Sequence, residues 1–278
     1  MNVRNLSRRI LLGLRRRLEP LAAPAVQARA AARVAADPGL WMARADAAIA
    51  RGVAWFAPQQ DLTMSALYIL WRSWRRGAEP RFAFVEDRIA RYRRTIRDPA
   101  LRLFDPTYDP DAPEHRRLPD IMEVRPYLPI ELMMIEAVWA DVRDPGADFL
   151  GRIAAIDDGA GYGATHIVVA ADLMKRSGAY PAPVLDALMA PVAAPMARSN
   201  RRTPYAGDIF AERIVMLRWM GRDDLCRPGW TAMLIDRQNP DGGWSARGVP
   251  PEGLSNQHTT CLALAALAEH RMAERAAR

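Results

Sequence analysis

Residues 62–74 read LTMSALYILWRSW, and apolar or aromatic side chains surround almost the whole circumference of the helix that this stretch would form. The apolar positions include Leu67, Ile69, Leu70, Trp71 and Trp74. A helix that is hydrophobic on every side is stable only where it is buried on every side. The stretch therefore predicts an interior helix of an all-α protein, enclosed by other helices.

A different kind of helix is predicted for residues 81–97. Its apolar side chains recur at intervals of three or four residues, and arginines lie between them; the stripe is formed by Phe82, Val85, Ile89, Tyr92 and Ile96. A single apolar stripe is typical of a helix that covers a core from outside. We therefore expect an outer helix here.

These two kinds of helix alternate along the chain. The interior type is predicted at residues 62–74, 129–142, 165–176, 208–220 and 258–270, and the outer type at 40–56, 81–97, 147–156, 183–197 and 230–238. Repeated outer–inner helix pairs are typical of helical repeat proteins, and 278 residues can enclose one such core. We predict an all-α domain over residues 37–278, an α/α toroid, closed or incomplete, of about five to six helical hairpins.

The first 36 residues predict a separate basic amphipathic segment. Apolar residues fall at helical spacing with arginines between them, at Val3, Leu6, Ile10, Leu14 and Leu18. Such a helix can bind a membrane surface, dock on a partner protein, or pack on its own domain. We therefore expect residues 1–18 to make one of these three contacts, and the sequence leaves the choice open.

Composition excludes several function classes. The net charge of +7 is spread along the chain without a nucleic-acid-binding motif, so we expect no nucleic-acid partner. Two cysteines make no disulfide framework, which favours the cytoplasm, with a peripheral membrane position if the first helix docks there. No apolar run approaches the roughly 20 residues that span a bilayer.

The segment Gln238–Trp244, QNPDGGW, resembles the QxxDGGW box of the terpenoid cyclase and protein prenyltransferase superfamily. Two glycines permit a tight turn, after which the tryptophan can stack back on the preceding helix. The resemblance implies the toroid fold, with the box acting as a structural staple between helices.

Further along the same hairpin, His258–Cys261 (HTTC) resembles the HTxC start of the last inner helix in prenyltransferase β-subunits, where the histidine is a zinc ligand. Similarly, Gly161–His166 resembles the approach to an inner helix whose histidine touches a diphosphate. Arg202 and Asp208 have the spacing of the family's phosphate-binding arginine and zinc-ligand aspartate. Phe210 stands where the family has a cysteine zinc ligand.

If all inner helices of a toroid run the same way, their N-termini converge at one mouth of the cavity. The side chains predicted there as catalytic are His166, Asp208, Glu212 and His258. His166, Asp208 and His258 are suitable ligands for zinc or another divalent metal. Histidine and carboxylate can equally provide acid–base catalysis without a metal.

Aromatic side chains of the interior helices are candidates for the cavity wall. The predicted ligand-binding residues are Arg202, Trp71, Trp139, Phe210 and Trp219. The leading hypothesis is an enzyme that binds an apolar, isoprenoid-type molecule and carries out cyclisation or prenyl transfer. The alternatives are a noncatalytic toroid that binds a partner protein or lipid, and a carbohydrate-active enzyme using Glu131, Asp208 and Glu212.

Overall fold

The computed structural model describes residues 21–95, 99–105, 107–108, 129–246 and 254–277, and every regular element in them is helical. This confirms the predicted all-α class. The α-helices are α1 (21–36), α2 (Pro38–Phe56), α3 (Met64–Arg75), α4 (Phe84–Thr95), α5 (Pro129–Trp139), α6 (Phe149–Ala154), α7 (Tyr162–Ser177), α8 (Ala182–Arg201), α9 (Asp208–Trp219), α10 (Pro228–Ile235) and α11 (Gln257–Ala276). Short 3-10 helices occupy Pro80–Ala83, Pro99–Leu103 and Asp223–Leu225.

Several helices begin at a side chain that caps their free N–H groups. Asp37 accepts a hydrogen bond from the Leu40 amide at 2.8 Å before α2, and Asn256 accepts one from the Thr259 amide at 2.8 Å before α11. Helix α7 ends at Gly178, which adopts the left-handed conformation that an α-helix C-terminus favours. Signals of this kind act within one turn and define where a helix begins or ends.

The centre of the domain is α11, whose residues from Thr259 to His270 are all buried. It packs against α2, α3, α9 and α10. Helix α9 also packs on α7, and α7 packs on α5, so the five predicted interior helices are neighbours in the order α3, α11, α9, α7, α5. The outer helix α8 contacts α7 and α9. Helix α10, which was predicted as an outer helix, is buried at every residue from Gly229 to Ile235 because it lies between α2 and α11.

The N-terminal ends of these interior helices contact one another, and so do their C-terminal parts. Near the N-termini of α3 and α11, Ser65 Oγ lies 3.4 Å from His258 Nδ1. In the C-terminal parts of the same two helices, Arg76 pairs with Glu269 at 3.1 Å. The start of α7 likewise meets the start of α9. Helices α3, α7, α9 and α11 therefore run in parallel, with their N-termini at one end of the domain.

Side chains from the middle and C-terminal parts of these helices meet one another directly. The Tyr68 hydroxyl donates to Asp172 Oδ2 at 3.0 Å, and Arg72 donates to both oxygens of Asp172 at 2.8 and 2.7 Å. The Tyr68 ring also contacts the Trp219 ring edge-on, with 5.9 Å between centroids. The ion pair is nearly buried and hydrogen-bonded throughout, which compensates its loss of hydration.

The turn after α10 joins that helix to α2. Gln238 Nε2 donates to Ala48 O at 2.8 Å and to Gly242 O at 2.7 Å. Trp244 is 1% exposed, and its indole N–H donates to Leu234 O at 2.8 Å. Gly242 has φ +96°, and a Cβ there would lie 2.7 Å from Arg51 O, so this position requires glycine.

The helix α1 packs on its own domain. Gln27 is buried, and its amide N–H₂ donates to Asn200 O at 2.5 Å and Thr203 O at 3.0 Å, while its oxygen accepts from the Trp230 indole at 3.1 Å. Residues 1–20, and with them the contact predicted for residues 1–18, lie outside the described residues. None of the described helices combines the length and apolarity needed to cross a membrane.

Candidate functional site

Three titratable side chains meet at the N-terminal ends of α9 and α11. Asp208 and Glu212 are four residues apart on α9 and therefore share one face. His258 is the second residue of α11, and its Nε2 lies 3.7 Å from Asp208 Oδ2. One ligand atom from each of the three residues lies within 4.8 Å of the other two. We call these three residues the acid–histidine group.

Two hydroxyl groups fix the orientation of the buried Asp208 carboxylate. The Tyr162 phenol donates to Oδ2 at 2.6 Å, and the Thr259 hydroxyl donates to Oδ1 at 2.8 Å. These donors come from the first turns of α7 and α11, so the orientation of Asp208 depends on three helices. Each carboxylate oxygen keeps a further lone pair for another ligand.

The most deeply buried member of the acid–histidine group is Glu212, which is 3% exposed. Its Oε2 atom is buried and has no hydrogen-bond partner among the described residues. Burial raises the pKa of Glu212 to about 7; the Thr165 hydroxyl and His258 act in the opposite direction, and the Asp208 charge raises the pKa further. Near neutral pH this carboxyl group can therefore exchange a proton.

Beside the group lies His166, whose Nδ1 is 3.9 Å from Glu212 Oε1. Its Nδ1–H donates to Tyr162 O at 2.7 Å, because a carbonyl oxygen can only accept. This bond leaves Nε2 of the neutral ring as an acceptor. Burial lowers the pKa of His166, which favours the neutral form. The structure thus places Glu212, rather than His166, with Asp208 and His258 as the third residue of the group.

The predicted cavity-wall aromatics lie apart from the acid–histidine group. Trp219 ends α9, about 16 Å along the helix from Asp208 at 1.5 Å per residue. Trp71 lies in the C-terminal half of α3 and Trp139 at the end of α5. Phe210 faces the other side of α9, where its ring packs on Trp230 at 5.9 Å.

Arg202, the predicted phosphate ligand, is exposed at the C-terminal end of α8. The buried guanidinium near the site belongs instead to Arg213, which follows Glu212 in the chain. Sequence reasoning singled out the histidines of GYGATH and HTTC but assigned no role to Tyr162 or Thr259 in the same motifs. Their hydroxyl groups could have indicated this role, because a buried carboxylate needs hydrogen-bond donors. No comparable signal identified Arg213.

No family model, curated protein or solved structure matches this chain. The relationship to the terpenoid cyclase and prenyltransferase superfamily therefore remains a prediction from sequence motifs.

Proposed function

We propose that this chain is an enzyme whose reaction centre consists of Asp208, Glu212, His258 and His166. The substrate would be an apolar, isoprenoid-type molecule, and the reaction a cyclisation or prenyl-transfer-like step, as the motif resemblance implies. The observation that carries the proposal is the unpartnered Oε2 of Glu212 within the described part of the chain, beside a second carboxylate and an imidazole. A desolvated, unsatisfied carboxylate costs stability, and such groups concentrate at functional sites.

The proposed architecture around this centre is an α/α toroid of about five to six helical hairpins, closed or incomplete. Three features support it: the neighbour order α3, α11, α9, α7, α5, the parallel direction of four of these helices, and the outer helix α8 that packs between α7 and α9. Such an arrangement gathers helix N-termini at one mouth. The partial positive charge of those N-termini favours an anionic substrate group there.

The site residues fit a divalent metal ion. Asp208, Glu212 and His258 would hold it, because carboxylate and imidazole are ligands of zinc and other divalent cations. Phe210 cannot supply the thiolate of the related family, and Glu212 gives this site an additional oxygen ligand instead. A bound ion would supply Lewis-acid stabilisation of negative charge that develops on a leaving group.

The chain's own side chains provide proton transfer and orientation. Glu212, with a pKa of about 7, can hold or accept a proton near neutral pH. His166 offers its Nε2 lone pair, since Nδ1 is bonded to the Tyr162 carbonyl. Tyr162 and Thr259 orient Asp208. The charged groups are thus pre-positioned before substrate binds, which is the main requirement of electrostatic catalysis.

Metal binding and ligand binding together test this proposal. Purified protein would be analysed for bound metal, then stripped with chelator and titrated calorimetrically with Zn²⁺ and Co²⁺. We expect one ion per chain, with affinity reduced roughly tenfold or more in Glu212→Gln and His258→Ala. The matched control is Glu136→Gln, which changes an exposed carboxylate paired with Arg152 and should bind like wild type.

Native mass spectrometry of the same variants would identify a co-purifying apolar molecule and test whether it is turned over. Wild-type protein that binds no added Zn²⁺ or Co²⁺ and retains its ligand without converting it, with ligand binding unchanged in Glu212→Gln and His258→Ala, would refute the enzyme proposal. That result would support the alternative of a noncatalytic toroid that binds a lipid or partner protein.

A further inference from the structure

The turn that leads into α7 contains a strained residue. Ala160 has φ +128°, a conformation that residues with a Cβ rarely adopt, and it follows Gly159 at φ +77°. Ala160 is 3% exposed, so the strain lies inside the protein rather than in a free loop. Backbone strain of this kind persists only where surrounding contacts hold it in place.

One of these contacts is made by Arg213. Its Nε–H donates to Ala160 O at 2.6 Å, and a terminal guanidinium N–H donates to Asn200 Oδ1 at 3.3 Å. Asn200 is fully buried and is itself anchored, since its amide N–H₂ donates to Phe210 O at 3.1 Å. Arg213 therefore clamps the strained carbonyl to the rigid pair α8 and α9.

The opposite side of the turn is held by Asp158. Its carboxylate accepts from the Gly161 amide at 2.6 Å and from the Gly163 amide at 3.1 Å. A Cβ at Gly163 would lie 1.8 Å from Ile156 O, so the chain passes itself too closely here for any other residue. Residues 157–163 consequently have little freedom, and Tyr162 lies within them.

Tyr162 transmits the position of this turn to the reaction centre. Its hydroxyl donates to Asp208 Oδ2, and its carbonyl oxygen accepts from His166 Nδ1. A small displacement of the turn would move both bonds. Tyr162 itself is 46% exposed, so its ring is not fixed by burial alone and depends on the backbone that carries it.

We propose that Arg213 is a positioning residue of the reaction centre: by holding Ala160 in its strained conformation it places Tyr162 on Asp208 and sets the affinity of the acid–histidine group for a divalent ion. This inference rests on the proposed function. Ala160 and Arg213 act together, because the strained conformation of Ala160 needs the hydrogen bond from Arg213 to hold it. Glycine at position 160 would adopt the same φ without strain and would make the clamp less necessary.

A double-mutant cycle of Arg213→Met and Ala160→Gly in the full chain tests this coupling. The readouts are Co²⁺ affinity and the temperature of thermal unfolding. Arg213→Met should weaken Co²⁺ binding roughly tenfold, as loss of an orienting residue does. Removing a positive charge next to Glu212 would by itself strengthen Co²⁺ binding. A weaker Co²⁺ affinity in Arg213→Met would therefore indicate that Arg213 acts by positioning and not through its charge. Ala160→Gly should raise the unfolding temperature and restore most of the affinity in the double variant.

Tyr162→Phe serves as the control. It removes the hydrogen bond from Tyr162 to Asp208, so Ala160→Gly should not restore the Co²⁺ affinity that this variant loses. If Arg213→Met does not fold, Arg213→Lys takes its place, because lysine keeps the positive charge but lacks the Nε–H donor. Three results would each overturn the inference while leaving the metal centre intact. They are wild-type-like Co²⁺ binding in the Arg213 variant, no recovery of affinity in the double variant, and no gain in unfolding temperature for Ala160→Gly. Wild-type protein that binds no Co²⁺ would overturn both.

Discussion

The contribution of Glu212 to the stability of this protein should fall as the pH rises through neutrality. Its pKa is about 7 in the folded protein against an ordinary value of 4.5, so the folded state binds the proton more tightly than the unfolded chain does. The stabilisation is complete below pH 4.5 and is lost as the pH rises through 7. At 1.36 kcal/mol per pKa unit, the loss is about 3 kcal/mol overall, and about 2 kcal/mol between pH 5.5 and 8.

Glu212→Gln removes this titration because the neutral amide has nearly the same shape and no charge. We expect the variant to be about 3 kcal/mol more stable than wild type at pH 8 and about equal to it near pH 4. Urea unfolding of chelator-treated protein at half-unit steps from pH 5.5 to 8 would give the two curves. Chelation is needed because a bound cation stabilises the ionised glutamate and conceals the effect.

The matched substitution Glu136→Gln should leave the pH dependence unchanged, because that side chain is 44% exposed and pairs with Arg152 at the surface. Parallel wild-type and Glu212→Gln curves would refute the reasoning, since they would mean that Glu212 is hydrated or already ionised in the folded state. Only the difference between the two curves tests Glu212, because burial lowers the pKa of His166 and of His270, and their contributions make stability rise with pH in the same window.

Three further changes probe the fold. Gly242→Ala should cost about 1–3 kcal/mol in urea unfolding, because its Cβ would meet Arg51 O at 2.7 Å and its φ is positive. Asp172→Ala should cost about 3 kcal/mol by the same assay, because it leaves the Arg72 guanidinium nearly buried without its carboxylate. Gln27→Leu should cost about 1–3 kcal/mol and speed proteolysis of α1, because two carbonyls and an indole lose their partner.

Sequence reasoning placed the helices well because their signals are local. Residues 208–220 were predicted and α9 spans Asp208–Trp219; residues 258–270 were predicted and α11 spans Gln257–Ala276. Capping side chains and apolar spacing act over one or two turns, so they can be recognised without knowledge of the neighbours. The same locality explains why these patterns located the helices but could not determine which ones touch or how deeply each is buried.

The reaction centre was predicted only in part, for the same physical reason. Asp208 and Glu212 share a face by helical spacing alone, and motif resemblance pointed to His258. The contact of Tyr162 with Asp208 joins residues 46 positions apart, and no periodicity encodes it. Its existence depends on how α7 packs against α9.

The amino-acid sequence by itself determined the helical class, the positions of the main helices and the residue types available for chemistry, because backbone propensity is a property of short segments. It did not determine burial: α10, predicted as an outer helix, is buried, and α5, predicted as an interior helix, exposes Leu132 and Glu136. Tertiary structure alone decided which of the candidate functional residues meet. It turned Phe210 toward α10 and clamped Ala160 with Arg213. A helix that is apolar all round has no preferred face until its neighbours pack against it, and that packing places the functional groups.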